Sequence, residues 1–189
     1  KSLYFEFIMD YLKLKILIIL LFVLPVFGQV KNIGLPEIKN YKKSEYKGGT
    51  QNWNIDQDKN GNLYFANNNG LFQFDGSVWR KYLLPNSPDT RCVKIDSLGK
   101  IFVGGYSEFG YYKANSKGKL EYVSISKLVN KKKIIDFIWK IHLYKDEVIF
   151  QSFAGIYIYK NNQLKIVAAP DRFQFSFQVN NRLYLQDIS

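Results

Sequence analysis

Gln51-Asn52-Trp53-Asn54-Ile55-Asp56, a turn at Asp58-Lys59-Asn60-Gly61, then Asn62-Leu63-Tyr64-Phe65-Ala66, a turn at Asn67-Asn68-Asn69-Gly70, then Leu71-Phe72-Gln73-Phe74, Asp75-Gly76 and Ser77-Val78-Trp79-Arg80-Lys81-Tyr82 read as four short strands joined by three tight turns. Asn-Gly and Asp-Gly pairs accept the positive φ angles of hairpin turns, so each marks an antiparallel connection.

The unit recurs. A second copy starts at Arg91-Cys92-Val93-Lys94-Ile95-Asp96 and continues through Lys100–Gly104, Phe109–Lys113 and Leu120–Ile125. A third runs Phe137–Ile141, Val148–Phe150, Gly155–Tyr159 and Leu164–Val167. A fourth opens at Phe173–Phe177, turns at Asn180-Asn181 and reaches Leu183-Tyr184-Leu185. Matching second strands begin at Leu63, Ile101, Val148 and Leu183, in steps of 38, 47 and 35 residues. Four strands per unit at such a period are the sequence mark of a β-propeller, whose blades bury both sheet faces against their neighbours. The fold expected is all-β, a partial propeller of four-stranded antiparallel blades. About three and a half blades are present, where closed rings usually have at least four. A sandwich or closed barrel would lack the repeated order of turn, Gly-aromatic strand and outer strand. A weak helical pattern lies near Ile125 to Val129.

Composition points the same way. Of 189 residues, 47% are apolar and 17% aromatic, and such side chains suit a pleated, half-buried surface. Met9, Lys13 and Lys15, then the apolar run Ile16–Leu24 and Pro25-Val26-Phe27-Gly28, have the layout of a signal peptide cleaved before Gln29; nine apolar residues are too few to span a bilayer. The expected organisation is an upstream extension at 1–8, a signal peptide at 9–28, an N-terminal segment at 29–49 with a ring-closing outer strand over Ile38–Tyr46, and a partial propeller at 50–189 cut in mid-blade.

A single cysteine, Cys92, excludes an internal disulfide, and alternation makes it a small inward residue. The net charge is +11, but the lysines are scattered through turns such as Lys131-Lys132-Lys133 rather than interleaved with aromatics on one face, so no nucleic-acid partner is expected. His142 is the only histidine, which excludes a multi-histidine metal site. There is no Gly-x-Ser-x-Gly elbow, and the aspartates sit largely in Asp-x-x-Gly turns. Neither catalytic residues nor a cofactor or metal is expected.

Loops alternate between the two faces of an antiparallel blade, so strand-one starts and second-to-third turns share one side. The ligand-binding candidates there are Trp53, Asn67, Arg91, Tyr106, Glu108 and Trp139. Aromatic platforms flanked by amide and charged groups suit a sugar or another small polar ligand, through ring stacking and oriented hydrogen bonds. The same residue types also serve inter-blade packing and turn formation.

Ile38-Lys39-Asn40-Tyr41, Gln51–Asp58, Gly61–Asn67 and Gly70–Gly76 with Trp79 resemble the opening of the two-component regulator propeller family. The likeness extends to large bacterial regulators with a periplasmic propeller, a triple-tyrosine β-sandwich, one membrane helix and a LuxR-type helix-turn-helix. It implies an exported sensor fragment, periplasmic or extracellular after signal-peptide cleavage, whose inner-membrane parent couples an external ligand, such as a glycan, to gene expression. Its partners would be that ligand and the remaining blades and downstream domains of the parent, with membrane attachment only through a C-terminal part. In some relatives the output is a histidine kinase. Two alternatives stand beside this reading: a free-standing secreted propeller that binds carbohydrate or protein, and a propeller lyase or glycosidase.

Overall fold

A computed structural model describes residues 2–22, 34, 38–85, 88–130 and 136–188. It forms two units, 1–40 and 41–189. In the first, α1 (Ser2–Phe22) includes the start of the expected signal peptide; the cleavage site lies outside the described residues. Among the described residues no helix is long and apolar enough to cross a membrane.

The second unit is built from hairpins. Strands β1 (Asn52–Gln57), β2 (Leu63–Asn67), β3 (Gly70–Phe74) and β4 (Trp79–Tyr82) pair in chain order as one antiparallel sheet. The same order recurs in β5 (Thr90–Ile95), β6 (Ile101–Gly105), β7 (Phe109–Ala114) and β8 (Leu120–Ser124), and in β9 (Lys140–Tyr144), β10 (Glu147–Gln151), β11 (Gly155–Lys160) and β12 (Gln163–Ala168). A hairpin of β13 (Phe173–Val179) and β14 (Arg182–Asp187) follows. These are propeller blades, as the repeat predicts.

The turns form for local reasons. Asp58 accepts hydrogen bonds from the amides of Asn60 and Asn62, Asp96 from Leu98 and Lys100, and Asn115 from Lys117 and Lys119. A short side-chain oxygen thus folds the backbone back on itself at the first residue of each of these three hairpin turns. Asn161-Asn162 and Asn180-Asn181 both adopt positive φ, the geometry of two-residue hairpin turns.

Alternation then assigns each blade two apolar faces. Tyr64, Ala66 and Leu71 of the first blade pack against Val93, Ile101, Val103 and Tyr112 of the second. Cys92, Phe102, Phe109 and Tyr111 of the second meet Ile141, Phe150 and Tyr157 of the third. Ile149 and Ile156 of the third meet Phe173 of the hairpin, with Leu183 and Leu185 beside them. Cys92 is buried, its Sγ 3.3 Å from the Ile138 carbonyl oxygen, and burial pushes its thiol pKa up.

Polar side chains near the innermost strands add a second fastening. Asn54 Oδ1 accepts the Val93 amide at 3.0 Å and Asp56 Oδ2 the Ile95 amide at 2.9 Å, so side chains of β1 satisfy backbone donors of β5 across the blade boundary.

Two expectations change. The outer strand over Ile38–Tyr46 does not form: residues 38–42 carry no strand and Lys43–Tyr46 is the one-turn helix α2. Packing explains the difference, because Tyr41 and Tyr46 turn their rings onto Trp79 (5.4 and 5.6 Å between centroids) and onto Phe74 and Phe72. The first strand of the third blade starts at Lys140 rather than Phe137, because Phe137 bridges back to Tyr106 of the second blade. The weak helical pattern after β8 is a 3-10 turn at Ser126–Leu128.

Candidate functional site

The innermost strands share an irregularity that the repeat did not reveal. Register slips between Asn52 and Asn54, between Thr90 and Cys92, and between Phe173 and Phe175, leaving Trp53, Arg91 and Gln174 as the extra residues. Trp139 stands at the matching point of the third blade, one residue before the Lys140–Gln151 pair, its amide bonded to the Gln151 carbonyl at 2.8 Å. A bulge re-aims the side chain it frees. Here it does so at the same end of successive blades.

Three of the candidates thereby meet. The Trp53 and Trp139 rings lie edge to face, 6.0 Å between centroids. The Arg91 guanidinium lies between the blades that carry them, 4.2 Å from the centre of Trp53, 4.8 Å from Phe137 and 5.7 Å from Trp139. It donates to Asn68 Oδ1 at 3.0 Å and reaches Asp89 at 3.6 Å, and Trp53 Nε1 shares the same Asn68 oxygen at 2.6 Å. Tyr106, exposed, extends the cluster through Phe137 at 4.9 Å. On the other side Trp139 meets Phe153 at 5.2 Å, and the Arg172 guanidinium lies 3.9 Å over the Phe153 ring.

Asn67 and Glu108 lie elsewhere. Asn67 is fully buried; its side chain accepts from the Gly49 and Asn69 amides and donates to the Gly49 carbonyl and Asn52 Oδ1, tying the N-terminal segment to the first blade. Glu108 is 1% exposed, and one carboxylate oxygen accepts from Tyr122, Ser124 and Ser126. Both serve the interior. Phe137 and Arg172 were missed as candidates; each takes its place through a contact between chain segments that no local pattern encodes.

A cavity of about 420 Å³ adjoins the aromatic row, lined by Trp139, Phe153, Phe175, Lys140, Arg172 and Gln174 among others. Beside it, a second of about 410 Å³ runs along the innermost strands past Lys94, Lys140, His142 and Ser176. Trp139 Nε1 and Arg91 Nε are buried donors with no hydrogen-bond partner among the described residues.

His142 and Ser176 form a buried pair, Nε2 to Oγ 2.7 Å. Ser176 donates its proton to Gln151 Oε1 at 2.5 Å, so the imidazole must supply the hydrogen of the His–Ser bond. That is the reverse of a general base activating a serine, and it suits a lock between third blade and hairpin. Burial, then Lys140 and Lys94, pull the His142 pKa down to about 4, keeping the ring neutral.

Comparison with solved structures gives the same architecture. At 20% identity and a TM-score of 0.58, 78% of the chain superposes on the extracellular domain of a B. thetaiotaomicron protein named as the hybrid two component system BT3049, covering 20% of it. Another B. thetaiotaomicron extracellular domain, from BT4673, matches over 69% of the chain at 17% identity and TM-score 0.54, covering 18% of that domain. Virginiamycin B lyase of Staphylococcus aureus matches over 76% at 15% identity and TM-score 0.56, covering half of the lyase.

The shared fold is the β-propeller.

The chain thus spans about a fifth of the two extracellular domains and half of the lyase. No family model matches the chain, and no curated protein sequence does.

Proposed function

We propose that this propeller is the extracytoplasmic ligand-sensing part of a membrane-bound regulator, and that it reads a small polar ligand such as a glycan on the face that carries Trp53, Tyr106, Trp139 and Phe153. The observation that carries this reading is the set of bulges that aims Trp53, Arg91 and Gln174, with Trp139 at the matching point, toward one end of their blades. Aromatic rings at that end offer flat apolar faces to sugar rings, and Arg172, Lys140 and Gln174 offer donors to hydroxyl groups. The resemblance of the first blade to two-component regulator propellers, and the likeness of fold to extracellular domains of such systems, support the location and the sensing role. The hydrogen-bond direction between Ser176 and His142 favours binding over serine-type catalysis.

The reading also places this chain within a longer parent. Phe175, Phe177, Val179 and Tyr184 of the hairpin are about half exposed and share one face, the face that earlier blades cover with the next blade. A further blade packed there, with a membrane segment and a helix-turn-helix or kinase output beyond it, completes the proposed sensor.

The test is a titration of the full chain with a panel of oligosaccharides, followed by tryptophan fluorescence. Trp53 and Trp139 stand in the site, so binding is expected to change emission, and Trp139→Ala is expected to abolish the change. A panel that leaves the emission unmoved refutes the ligand reading.

A further inference from the structure

The cavity between Trp139, Phe153 and the hairpin has a chemical bias that the aromatic row alone does not explain. None of its lining residues is acidic, whereas Lys140 and Arg172 both line it. Elsewhere near the innermost strands the cations are paired: Lys94 with Asp56 at 3.1 Å and Arg91 with Asp89 at 3.6 Å. Lys140 and Arg172 make no side-chain ion pair among the described residues; Arg172 spends its charge on the face of Phe153, and only its backbone amide reaches Asp187.

We propose that this cavity takes a sugar that carries an anionic group, a carboxylate or a sulfate ester, with the ring against Trp139 and Phe153 and the anion between Lys140 and Arg172. The proposal rests on the ligand-sensing reading above and narrows it to a ligand class. Aromatic faces bind neutral and acidic sugars alike, so they set no charge preference; two cations without counter-ions do. The planar guanidinium of Arg172, 3.9 Å over the Phe153 ring, carries an N–H fork that matches carboxylate and sulfate geometry. Burial first, then Lys140 on its own strand and Lys94 on β5, hold the His142 pKa at about 4, with Asp56 of β1 engaged by Lys94 and Ser176 of β13 bonded to the ring, so the imidazole also senses the charge at Lys140.

The experiment uses the full chain and three oligosaccharides of equal length: a galacturonate oligomer, a sulfated galactan fragment and a neutral galactan fragment. Calorimetry at low ionic strength is expected to show at least about tenfold tighter binding of one or both acidic sugars, and their order identifies the anion. Lys140→Gln and Arg172→Gln are each expected to weaken acidic binding about five- to tenfold and neutral binding by clearly less, since Gln still offers a donor to hydroxyl groups, and Lys140→Arg is expected to keep the preference. His142 is the only histidine, so its imidazole signal can be followed alone by NMR. A bound anion beside Lys140 is expected to raise its titration midpoint, and a neutral sugar is not. Equal or tighter binding of the neutral sugar overturns the anion assignment and leaves the sensing reading intact. Binding of none of the three overturns both, and unchanged acidic affinity in Lys140→Gln and Arg172→Gln overturns the placement of the anion.

Discussion

The Arg91 guanidinium lies 4.2 Å from the centre of the Trp53 ring, joining the bulge residue of the second blade to that of the first. The contact sits at the boundary between blades and the Arg91 side chain is only 12% exposed, so solvent screens it little. Arg91→Ala is expected to cost about 1–2 kcal/mol and to red-shift tryptophan emission as water reaches the ring. Arg91→Lys is expected to recover only part of that loss, because an ammonium cannot stack flat while donating to Asn68. Urea unfolding followed by fluorescence measures both.

The His142–Ser176 lock predicts a pH dependence. In the folded chain the imidazole titrates at about 4, below its ordinary 6.5, so the unfolded chain takes up the proton first as pH falls. The stabilisation is complete above about pH 6.5, declines as pH falls through the interval and is gone below about 4, a change on the order of 2 kcal/mol. His142→Gln is expected to flatten this part of the stability profile, measured by denaturant unfolding between pH 3.5 and 7.5.

Asp56 takes the Ile95 amide and the Lys94 ammonium together. Asp56→Ala leaves a backbone donor without its acceptor at the junction of the first two blades, and a loss of about 1–3 kcal/mol is expected. Asp56→Asn, which keeps an oxygen for the Ile95 amide, is expected to recover more than half of it. Thermal unfolding of the three chains side by side decides the point.

Gly105 ends β6 where the chain passes the Asp89 carbonyl; a Cβ there would stand 2.0 Å from that oxygen and 3.0 Å from Leu84. Backbone cannot retreat as a flexible side chain can. Gly105→Ala is therefore expected to destabilise the second blade by about 3 kcal/mol or to prevent folding, read by circular dichroism and soluble yield.

Phe175 and Phe177 are each about half exposed on the open face of the hairpin. Phe177→Thr keeps a strand-forming residue and removes apolar surface from water, so it is expected to lower dye binding and aggregation of this chain while leaving its melting temperature within about 1–2 °C. Light scattering and dye fluorescence measure it.

Much of the fold was legible because strands and hairpin turns are local. Alternation over Leu63–Asn67 or Gly155–Lys160 needs only neighbours in sequence, and Asp58, Asp96 and Asn161-Asn162 bend the backbone by their own side chains and φ preferences. The segment before the first blade was misread because the residues that decide it are distant: Phe72, Phe74 and Trp79 draw the rings of Tyr41 and Tyr46 away from strand geometry. Of the candidate site, Trp53, Arg91, Tyr106 and Trp139 follow from their place at strand starts and turns. The division between them and Asn67 or Glu108, which share that side of the repeat, does not.

By itself the sequence determined that the chain is a run of antiparallel four-stranded blades, since periodicity and turn chemistry act within a few residues. Tertiary structure alone decided which side chains face one another across blades. The bulges that free Trp53, Arg91 and Gln174 arise from pairing with a second strand, and the pairing of Lys94 with Asp56, against Lys140 and Arg172 without a side-chain ion pair among the described residues, arises from the docking of successive sheets. Both depend on distances between residues far apart in the chain, and packing, not local propensity, sets those distances.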